Sequence, residues 1–153
     1  ALALANSRPD WQIIASDLSN DALALAKENA HSCGLNLAFV QSDCLEAISG
    51  SFDIIVSNPP YISEADKDEV GLNVLASEPH MALFAEEDGY AVYRKIAEQA
   101  GDYLTEKGKI YLEIGYKQGD GVRELLKNNF PQKRIRVLKD QFGKDRMVAV
   151  DNG

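Results

Sequence analysis

The stretch "FDIIVSNPPYI", residues 52–62, joins an apolar run to a segment that contains two adjacent prolines. Residues 52–57 have the short, mostly apolar character of a buried strand. Pro59 and Pro60 have no backbone N–H, and a proline also disfavours helical backbone in the residue before it. The sequence therefore predicts a strand over residues 52–57, followed by a rigid extended loop that accepts backbone hydrogen bonds but lacks donors at both prolines.

Strand-like and helix-like patterns alternate on both sides of this stretch. Ser19 is placed to cap a helix over residues 20–32, and Gly34 is placed to end it. The strand "KGKIYLEIG" is predicted to be entered through a turn at Gly108. The predicted strands are 11–16, 37–40, 52–57, 107–115, 134–138 and 147–150, and the other predicted helices are 89–104 and 120–129.

Strands separated by helices of this length predict an α/β fold with a mostly parallel sheet and right-handed crossovers. The last two strands are too close for a helix between them, so we expect a C-terminal antiparallel hairpin with Gly143 in its turn. A length of 153 residues fits one domain, 1–153. Residues 58–88 show no clear period, and so long an irregular stretch in a compact domain is usually functional.

Composition and charge exclude several classes of protein. The net charge of -8 argues against broad binding to nucleic-acid phosphates, which needs a basic surface. No apolar run approaches the ~20 residues of a membrane span. Cys33 and Cys44 do not form a disulfide framework, which favours a reducing cytoplasm. His31 and His80 have no metal-ligand spacing, so we expect no metal site.

Small polar residues follow three successive predicted strands, namely Asp17, Asp43 and Asn58. In open α/β sheets, ligands bind at the carboxyl ends of the strands. Asp17 is placed to accept hydrogen bonds from both hydroxyls of a ribose, and Asp43 from an exocyclic amine. Ordinary turn formation, and for Asp43 an N-cap of the following loop, remain open alternatives.

The loop after the third strand is suited to hold an NH2 group. The carbonyls of Asn58, Pro59 and Pro60 and the Asn58 side chain are acceptors, and a planar NH2 group has two donors. Tyr61 could lie against the flat face of the group that carries it. A proline-rich turn without a ligand is the alternative.

The motif "NPPY", residues 58–61, is similar to the signature of S-adenosylmethionine-dependent methyltransferases that act on amines of nucleic-acid bases or on glutamine amides. Three further stretches extend the likeness to nearly the whole chain. Together with "FVQSDCLEAISGSFDIIVSNPPYI" they are "IIASDLSNDALALAKENA", "EPHMALFAEEDG" and "LEIGYKQGDGVRELL". The chain thus resembles the HemK/PrmC family, the release-factor glutamine methyltransferases.

The resemblance implies a Rossmann-like class I S-adenosylmethionine-dependent methyltransferase with a seven-stranded sheet. Asp17 would hold the ribose of the cofactor, and Asp43 with Cys44 would line the adenine pocket. Asn58 would contact both the methionine end of the cofactor and the substrate amide.

The implied substrate is the glutamine of a Gly-Gly-Gln motif in a peptide-chain release factor, methylated on its side-chain amide nitrogen. Pro59, Pro60 and Tyr61 would complete the substrate site beside Asn58. Glu113 and the pair Glu78-Pro79 are secondary candidates for this site. The resemblance implies no direct nucleic-acid partner and no membrane.

The chain departs from the family pattern at its N-terminal side. Family members carry a helical N-terminal domain and a D-x-G-x-G-x-G strand and loop, and neither is found in this chain. "ALALAN", residues 1–6, has the pattern of the last turns of a helix. The first strand would lie in the middle of the sheet, so we expect a gap between strands, a rearrangement, or a larger parent protein. By itself the chain is expected to bind the cofactor weakly or not at all and to be inactive.

Two other functions remain open. A methyltransferase acting on an exocyclic amine of a nucleic-acid base would share the acceptor loop. It would also need a target-recognition region and a basic face, and only residues 133–146 offer positive charge. The second is a truncated chain that binds without catalysing.

Overall fold

A computed structural model describes residues 1–69, 72–77 and 79–153; for five of these, Asp66, Glu69, Leu72, Val74 and Ala76, only the backbone is described. The chain divides into two compact units, Ala1–Ser49 and Gly50–Gly153. Each unit has its own β-sheet, of two strands in the first and four in the second.

The first unit is a parallel β-α-β arrangement preceded by a short helix. Its elements are α1 (Leu2–Ser7), β1 (Ile14–Asp17), α2 (Asn20–Ser32) and β2 (Ala38–Gln41). Helix α2 has the predicted bounds because the Ser19 hydroxyl accepts from the Ala22 amide at 3.2 Å and Gly34 has a φ of +65°. Leu23 and Ala30 are its buried residues.

The two strands of the first unit begin later than predicted. The predicted strand 11–16 starts at Ile14, because the Trp11 amide donates to the Arg8 carbonyl at 3.1 Å and so belongs to a turn. The strand predicted at 37–40 is shifted by one residue, to Ala38–Gln41.

The second unit carries a four-stranded mixed sheet. Its elements are β3 (Phe52–Ser57), a 3₁₀ helix (Glu64–Glu69), α3 (Leu72–Ser77), α4 (His80–Leu83), α5 (Glu86–Gly89), α6 (Ala91–Gln99), a second 3₁₀ helix (Ala100–Tyr103), β4 (Leu104–Glu113), α7 (Gly119–Asn129), β5 (Arg134–Lys139) and β6 (Asp145–Asp151). The strand order is β3-β4-β6-β5. Strands β3 and β4 are parallel, whereas β6 is antiparallel to both β4 and β5. The α/β class and the C-terminal antiparallel hairpin are thus confirmed.

The core of the second unit lies around β4 and β6. Helices α6 and α7 each bury one apolar stripe, as amphipathic helices do. Each large side chain buried there contributes roughly 1.5–3 kcal/mol to the free energy of unfolding. The largest fully buried side chains are Tyr93, Ile110, Leu112, Ile114, Val122, Leu126, Val148 and Val150.

The predicted turn at Gly108 is wrong, because Gly108 lies inside β4. The register between β3 and β4 shifts there, with Phe52 opposite Leu104 and Ile54 opposite Lys109. A Cβ at Gly108 would lie 2.8 Å from the Leu104 side chain and 2.9 Å from the Thr105 carbonyl oxygen. Gly108 therefore lies at an irregularity within the strand where a side chain would be too close to its neighbours. Glycine in strands often marks such positions.

The predicted helix over residues 89–104 is wrong at both ends. Gly89 has a φ of +85°, which excludes it from a right-handed helix, and α6 begins at Ala91. After Gln99 the chain tightens into the 3₁₀ helix Ala100–Tyr103 before it enters β4.

The stretch 58–88, expected to be irregular, contains several short helical segments instead. It also folds back on itself: the Ile62 amide donates to the Leu83 carbonyl, and the Ala85 amide donates to the Ile62 carbonyl, both at 3.0 Å. These bonds form a parallel bridge between Ile62 and Phe84.

Two ion pairs to one buried carboxylate join the ends of β5 and β6. Asp151 accepts from Arg134 at 2.8 Å and from Arg136 at 2.6 Å, and only 6% of Asp151 is exposed. These bonds, led by the one from Arg134, hold the pKa of Asp151 well below its usual range.

None of the helices among the described residues combines the length and the apolar character needed to cross a bilayer.

Candidate active site

The first group of predicted site residues lies at the carboxyl ends of the parallel strands β1 and β2. Asp17 ends β1 opposite Gln41, and its carbonyl accepts from the Ser42 amide at 3.0 Å. Asp43 therefore follows at the carboxyl end of the neighbouring parallel strand. The Asp17 side chain is exposed, and its Oδ1 accepts from the Ser19 amide at 2.8 Å. This bond orients the carboxylate.

A tight turn follows β2. The Asp43 carbonyl accepts from the Glu46 amide at 3.2 Å, and Ser42 is buried with its hydroxyl accepting from the Ala47 amide at 3.0 Å. Cys44 has a left-handed φ of +51°, which costs about 1–2 kcal/mol in a residue with a Cβ. Strained residues of this kind concentrate at ligand sites. Asp43 and Cys44 are both half-buried at this turn.

The second group consists of residues 58–61, which follow the carboxyl end of β3 in the second unit. We name these residues the acceptor segment. Ser57 pairs with Leu112 in the parallel register of β3 and β4, so the segment leaves at the carboxyl end of β3. Asn58 is exposed and Pro59 is buried. Within the described residues, no hydrogen bond reaches the Asn58 side chain or the carbonyls of Asn58, Pro59 and Pro60. These acceptors are therefore not used within the described residues, and the exposed Asn58 side chain is accessible to a ligand.

Tyr61 is fixed from the protein side. Its carbonyl accepts from Gln118 Nε2 at 3.0 Å. Its ring lies against Gly115, where an added Cβ would be 3.2 Å from Tyr61 Cδ2. The half-buried Tyr61 ring thus occupies space that a side chain at residue 115 would fill.

The Tyr93 side chain, from α6, forms a hydrogen bond with the last residue of β4. Its hydroxyl is 3.0 Å from the Glu113 carbonyl oxygen and 3.4 Å from Gln118 Oε1. Burial raises the pKa of the Tyr93 hydroxyl far above 10, so it stays a neutral donor and does not serve as a base. Glu113 lies at the end of β4, as predicted, and is half-buried.

A left-handed turn lies beside the acceptor segment. This turn is the element α5, which is not a right-handed helix, because Glu87, Asp88 and Gly89 have successive φ values of +53°, +54° and +85°. Glu87 is held by Arg94, whose Nε donates to it at 2.8 Å. A Cβ at Gly89 would overlap the Tyr61 carbonyl oxygen.

The structure brings the predicted residues together in two groups, one in each unit. Asp17, Asp43 and Cys44 share the sheet edge of the first unit, and residues 58–61 lie at the sheet edge of the second. Of the secondary candidates, Pro79 is exposed before α4, and Glu78 lies outside the described residues.

Sequence reasoning missed Gly89 and Gln118. Both lie in stretches that carry the family resemblance, yet no local pattern shows what they contact. The only available signal was the presence of a glycine after three acidic residues and of glycines at 115 and 119 around the glutamine. Three or more His, Cys, Asp or Glu side chains do not cluster as metal ligands anywhere in the described part of the chain.

Comparison with known proteins identifies the family. Residues 1–144 match the family model described as "Methyltransferase small domain". The chain is 63% identical, over 153 residues, to a release factor glutamine methyltransferase of Streptococcus pneumoniae, covering 100% of this chain and 55% of that protein. It is 52% identical, over 150 residues, to the Lactococcus lactis protein of the same name, covering 98% and 56%. The chain thus spans about half the length of the curated relatives it matches.

A solved structure confirms the fold. The crystal structure of a methyltransferase from Pyrococcus furiosus matches with a TM-score of 0.72 at 19% identity, covering 99% of this chain and 68% of that one. The two chains therefore share an α/β fold. The predicted resemblance to the HemK/PrmC family is confirmed by the high identity to its members. The chain belongs to the methyltransferase small domain family.

Proposed function

We propose that this protein transfers a methyl group from S-adenosylmethionine to the side-chain amide nitrogen of glutamine in the Gly-Gly-Gln motif of peptide-chain release factors. The observation that carries this proposal is the acceptor segment at the end of β3, whose carbonyls at residues 58–60 make no hydrogen bond within the described residues and whose Asn58 side chain is exposed. The 63% identity to a release factor glutamine methyltransferase supports the choice of a glutamine amide as the group bound there.

The edge of the first unit fits the cofactor. Asp17 is exposed and its carboxylate is oriented by the Ser19 amide, which suits acceptance from ribose hydroxyls. The strained turn at Asp43 and Cys44 would meet the adenine. S-adenosylmethionine, when bound, supplies a methyl group on an electrophilic sulfonium.

The acceptor segment would orient the amide nitrogen. Asn58 and the Pro59 carbonyl would accept its two N–H groups, which fixes its direction and increases electron density on nitrogen. An amide nitrogen is a poor nucleophile, so tight positioning is the main source of rate enhancement. The proton would pass to solvent water after methylation, when the nitrogen is far more acidic, so the reaction needs no dedicated base.

Domain organisation, partner and location follow from the same proposal. The family model spans both units, which supports one methyltransferase domain over residues 1–153. The partner would be a release factor, and because release factors act in translation, the protein would work in the cytoplasm. The paired state of the basic side chains weighs against a nucleic-acid substrate: Arg134 and Arg136 bind Asp151, and Arg146 binds Asp140.

The direct test is a methyl-transfer assay with the protein at its natural full length. Labelled S-adenosylmethionine is supplied with a release factor, and the modified residue is located by mass spectrometry. We expect label on the Gly-Gly-Gln glutamine and none on a release factor whose glutamine is replaced by alanine. Label on unpaired adenine or cytosine in nucleic acid, with none on release factor, would reject the proposal in favour of base methylation.

Asp17→Asn tests the cofactor site. The amide oxygen keeps the bond from Ser19, but the charge that accepts the ribose hydroxyls is lost. Hydrogen bonds to charged groups contribute about 1.5–3 kcal/mol, so we expect the Kd for S-adenosylmethionine to rise about 10- to 100-fold. Calorimetric titration of the protein at its natural full length measures it, and Asp10→Asn, in the turn before β1, is the matched control. An unchanged Kd for Asp17→Asn would remove Asp17 from the site.

A further inference from the structure

The acceptor segment makes few hydrogen bonds with the rest of the described protein. Pro59 and Pro60 have no N–H to donate, and Asn58 is exposed without a hydrogen bond to the described residues. Across residues 58–61, the hydrogen bond seen in the described structure is the one from Gln118 Nε2 to the Tyr61 carbonyl, at 3.0 Å. Besides the rigidity of the prolines and the packing of Pro59 and the Tyr61 ring, the direction of the carbonyls at residues 58–60 therefore depends on this one hydrogen bond at the end of the segment.

The Gln118 side chain is buried, with 8% of the residue exposed, and its amide is fully used. Nε2 donates to the Tyr61 carbonyl at 3.0 Å and to the Gly89 carbonyl at 3.5 Å. Oε1 accepts from the Gly115 amide at 3.0 Å and lies 3.4 Å from the Tyr93 hydroxyl. Two donors and two acceptors are all that such an amide has. Because Gly115 N–H can only donate and the Tyr61 carbonyl can only accept, the orientation of the amide is fixed.

The backbone around Gln118 is shaped to admit its amide. A Cβ at Gly115 would lie 2.8 Å from Gln118 Oε1, and a Cβ at Gly89 would lie 2.8 Å from Gln118 Nε2. A side chain at either position would therefore displace the Gln118 amide from the place that it occupies. The backbone of Gln118 closes the turn after β4, since the Gln118 backbone N–H donates to the Gly115 carbonyl at 2.9 Å. One side chain thus connects the end of β4, the left-handed turn and the acceptor segment.

We infer that Gln118 is the positioning residue of the acceptor segment: its buried amide holds the Tyr61 carbonyl and thereby sets the direction in which Asn58 and Pro59 present their acceptors. This inference rests on the proposed function for its catalytic consequence. Gln118 does not touch the reacting atoms. Its effect is on the orientation of the substrate nitrogen, where a displacement of about 1 Å can reduce the rate about 100-fold.

The first experiment is Gln118→Met, which keeps an unbranched side chain of similar length but removes all hydrogen bonding. In the protein at its natural full length, we expect kcat for release-factor methylation to fall about 10- to 100-fold. The Kd for S-adenosylmethionine should stay unchanged. The matched control is Gln132→Met, because Gln132 is exposed in the turn before β5 and should leave kcat unchanged.

A second variant separates positioning from general packing. In Gln118→Glu, a protonated carboxyl can still donate to the Tyr61 carbonyl, but an ionised one cannot. Burial beside carbonyl oxygens raises the pKa of such a carboxyl above about 4.3. The kcat of this variant, measured where the protein remains folded, should therefore increase as the pH falls through that pKa. The wild type should lack this titration.

Hydrogen exchange gives a readout that does not depend on activity. Gly115 N–H bonds Gln118 Oε1, and Ile62 N–H lies directly after the acceptor segment. In Gln118→Met, both amides should exchange faster than in the wild type, whereas those of α2 should not change. A folded Gln118→Met protein with unchanged kcat and unchanged exchange at both amides overturns the inference. Failure of the wild type to methylate release factor would reject the proposed function instead, and the exchange measurement would still decide the role of Gln118.

Discussion

Replacing Asn58 with alanine is expected to reduce methyl transfer to release factor about 100-fold or more while leaving the fold intact. Asn58 is exposed at the end of β3 and makes no hydrogen bond with the described residues, so it contributes little to stability. Substitutions at such surface positions usually change the free energy of unfolding by no more than about 0.5 kcal/mol. Its polar side chain is nevertheless placed beside the carbonyls of the acceptor segment. A large effect on turnover with little effect on stability is the combination that a substrate-orienting residue predicts.

The measurement is kcat with saturating S-adenosylmethionine, together with the midpoint of thermal unfolding. Asn128→Ala is the matched control, because Asn128 is an exposed asparagine in α7. Asn58→Asp adds a second comparison, since it keeps an acceptor but introduces a charge and loses the amide donors. If Asn58→Ala retained wild-type turnover, the acceptor segment would not be the site that binds the amide.

The elements that sequence reasoning predicted correctly have their signals within a few residues. Helix α2 was bounded by the Ser19 cap and by Gly34, and the structure shows both. Strand β3 was bounded by its apolar run and the prolines after it. The final hairpin followed from a connection too short for a helix, and Gly143 takes the positive φ of its turn.

The errors arise where a residue's conformation depends on distant parts of the chain. Gly108 has the pattern of a turn, but its pairing with β3 keeps it inside β4. Gly89 has the pattern of a helix start, but its left-handed conformation is needed beside Tyr61. Neither requirement can be read from neighbouring residues, because the contact partner is remote in sequence.

The candidate site shows the same division. Asp17 and Asn58 could be chosen because the carboxyl ends of parallel strands place polar residues at a known edge of a sheet. Gln118 could not, because its contact with Tyr61 joins residues 57 positions apart in the sequence. Single-sequence reasoning therefore finds residues that face a ligand more easily than residues that hold them in place.

Gly89→Ala is expected to reduce both stability and activity strongly. A residue with a Cβ pays about 1–2 kcal/mol at the φ of +85° found here. In addition, the new Cβ would overlap the Tyr61 carbonyl oxygen and lie 2.8 Å from Gln118 Nε2, so the hydrogen bond between them must break or shift. Leaving such buried groups unpaired costs about 1–3 kcal/mol more. We therefore expect the free energy of unfolding to fall by about 2–5 kcal/mol.

The matched control is Gly143→Ala, in the turn of the β5–β6 hairpin. Gly143 has a similar φ of +76°, but a Cβ there would meet nothing within 4 Å. It should therefore show the backbone strain without the overlap, with a smaller loss of stability and unchanged kcat. For Gly89→Ala, kcat measured well below the unfolding midpoint should fall about 100-fold, because the overlap displaces the carbonyl that anchors the acceptor segment. If the two substitutions had equal effects on stability and kcat, the positive φ of Gly89 would account for the whole effect of Gly89→Ala. The close approach of the left-handed turn to Tyr61 would then have no part in holding the acceptor segment.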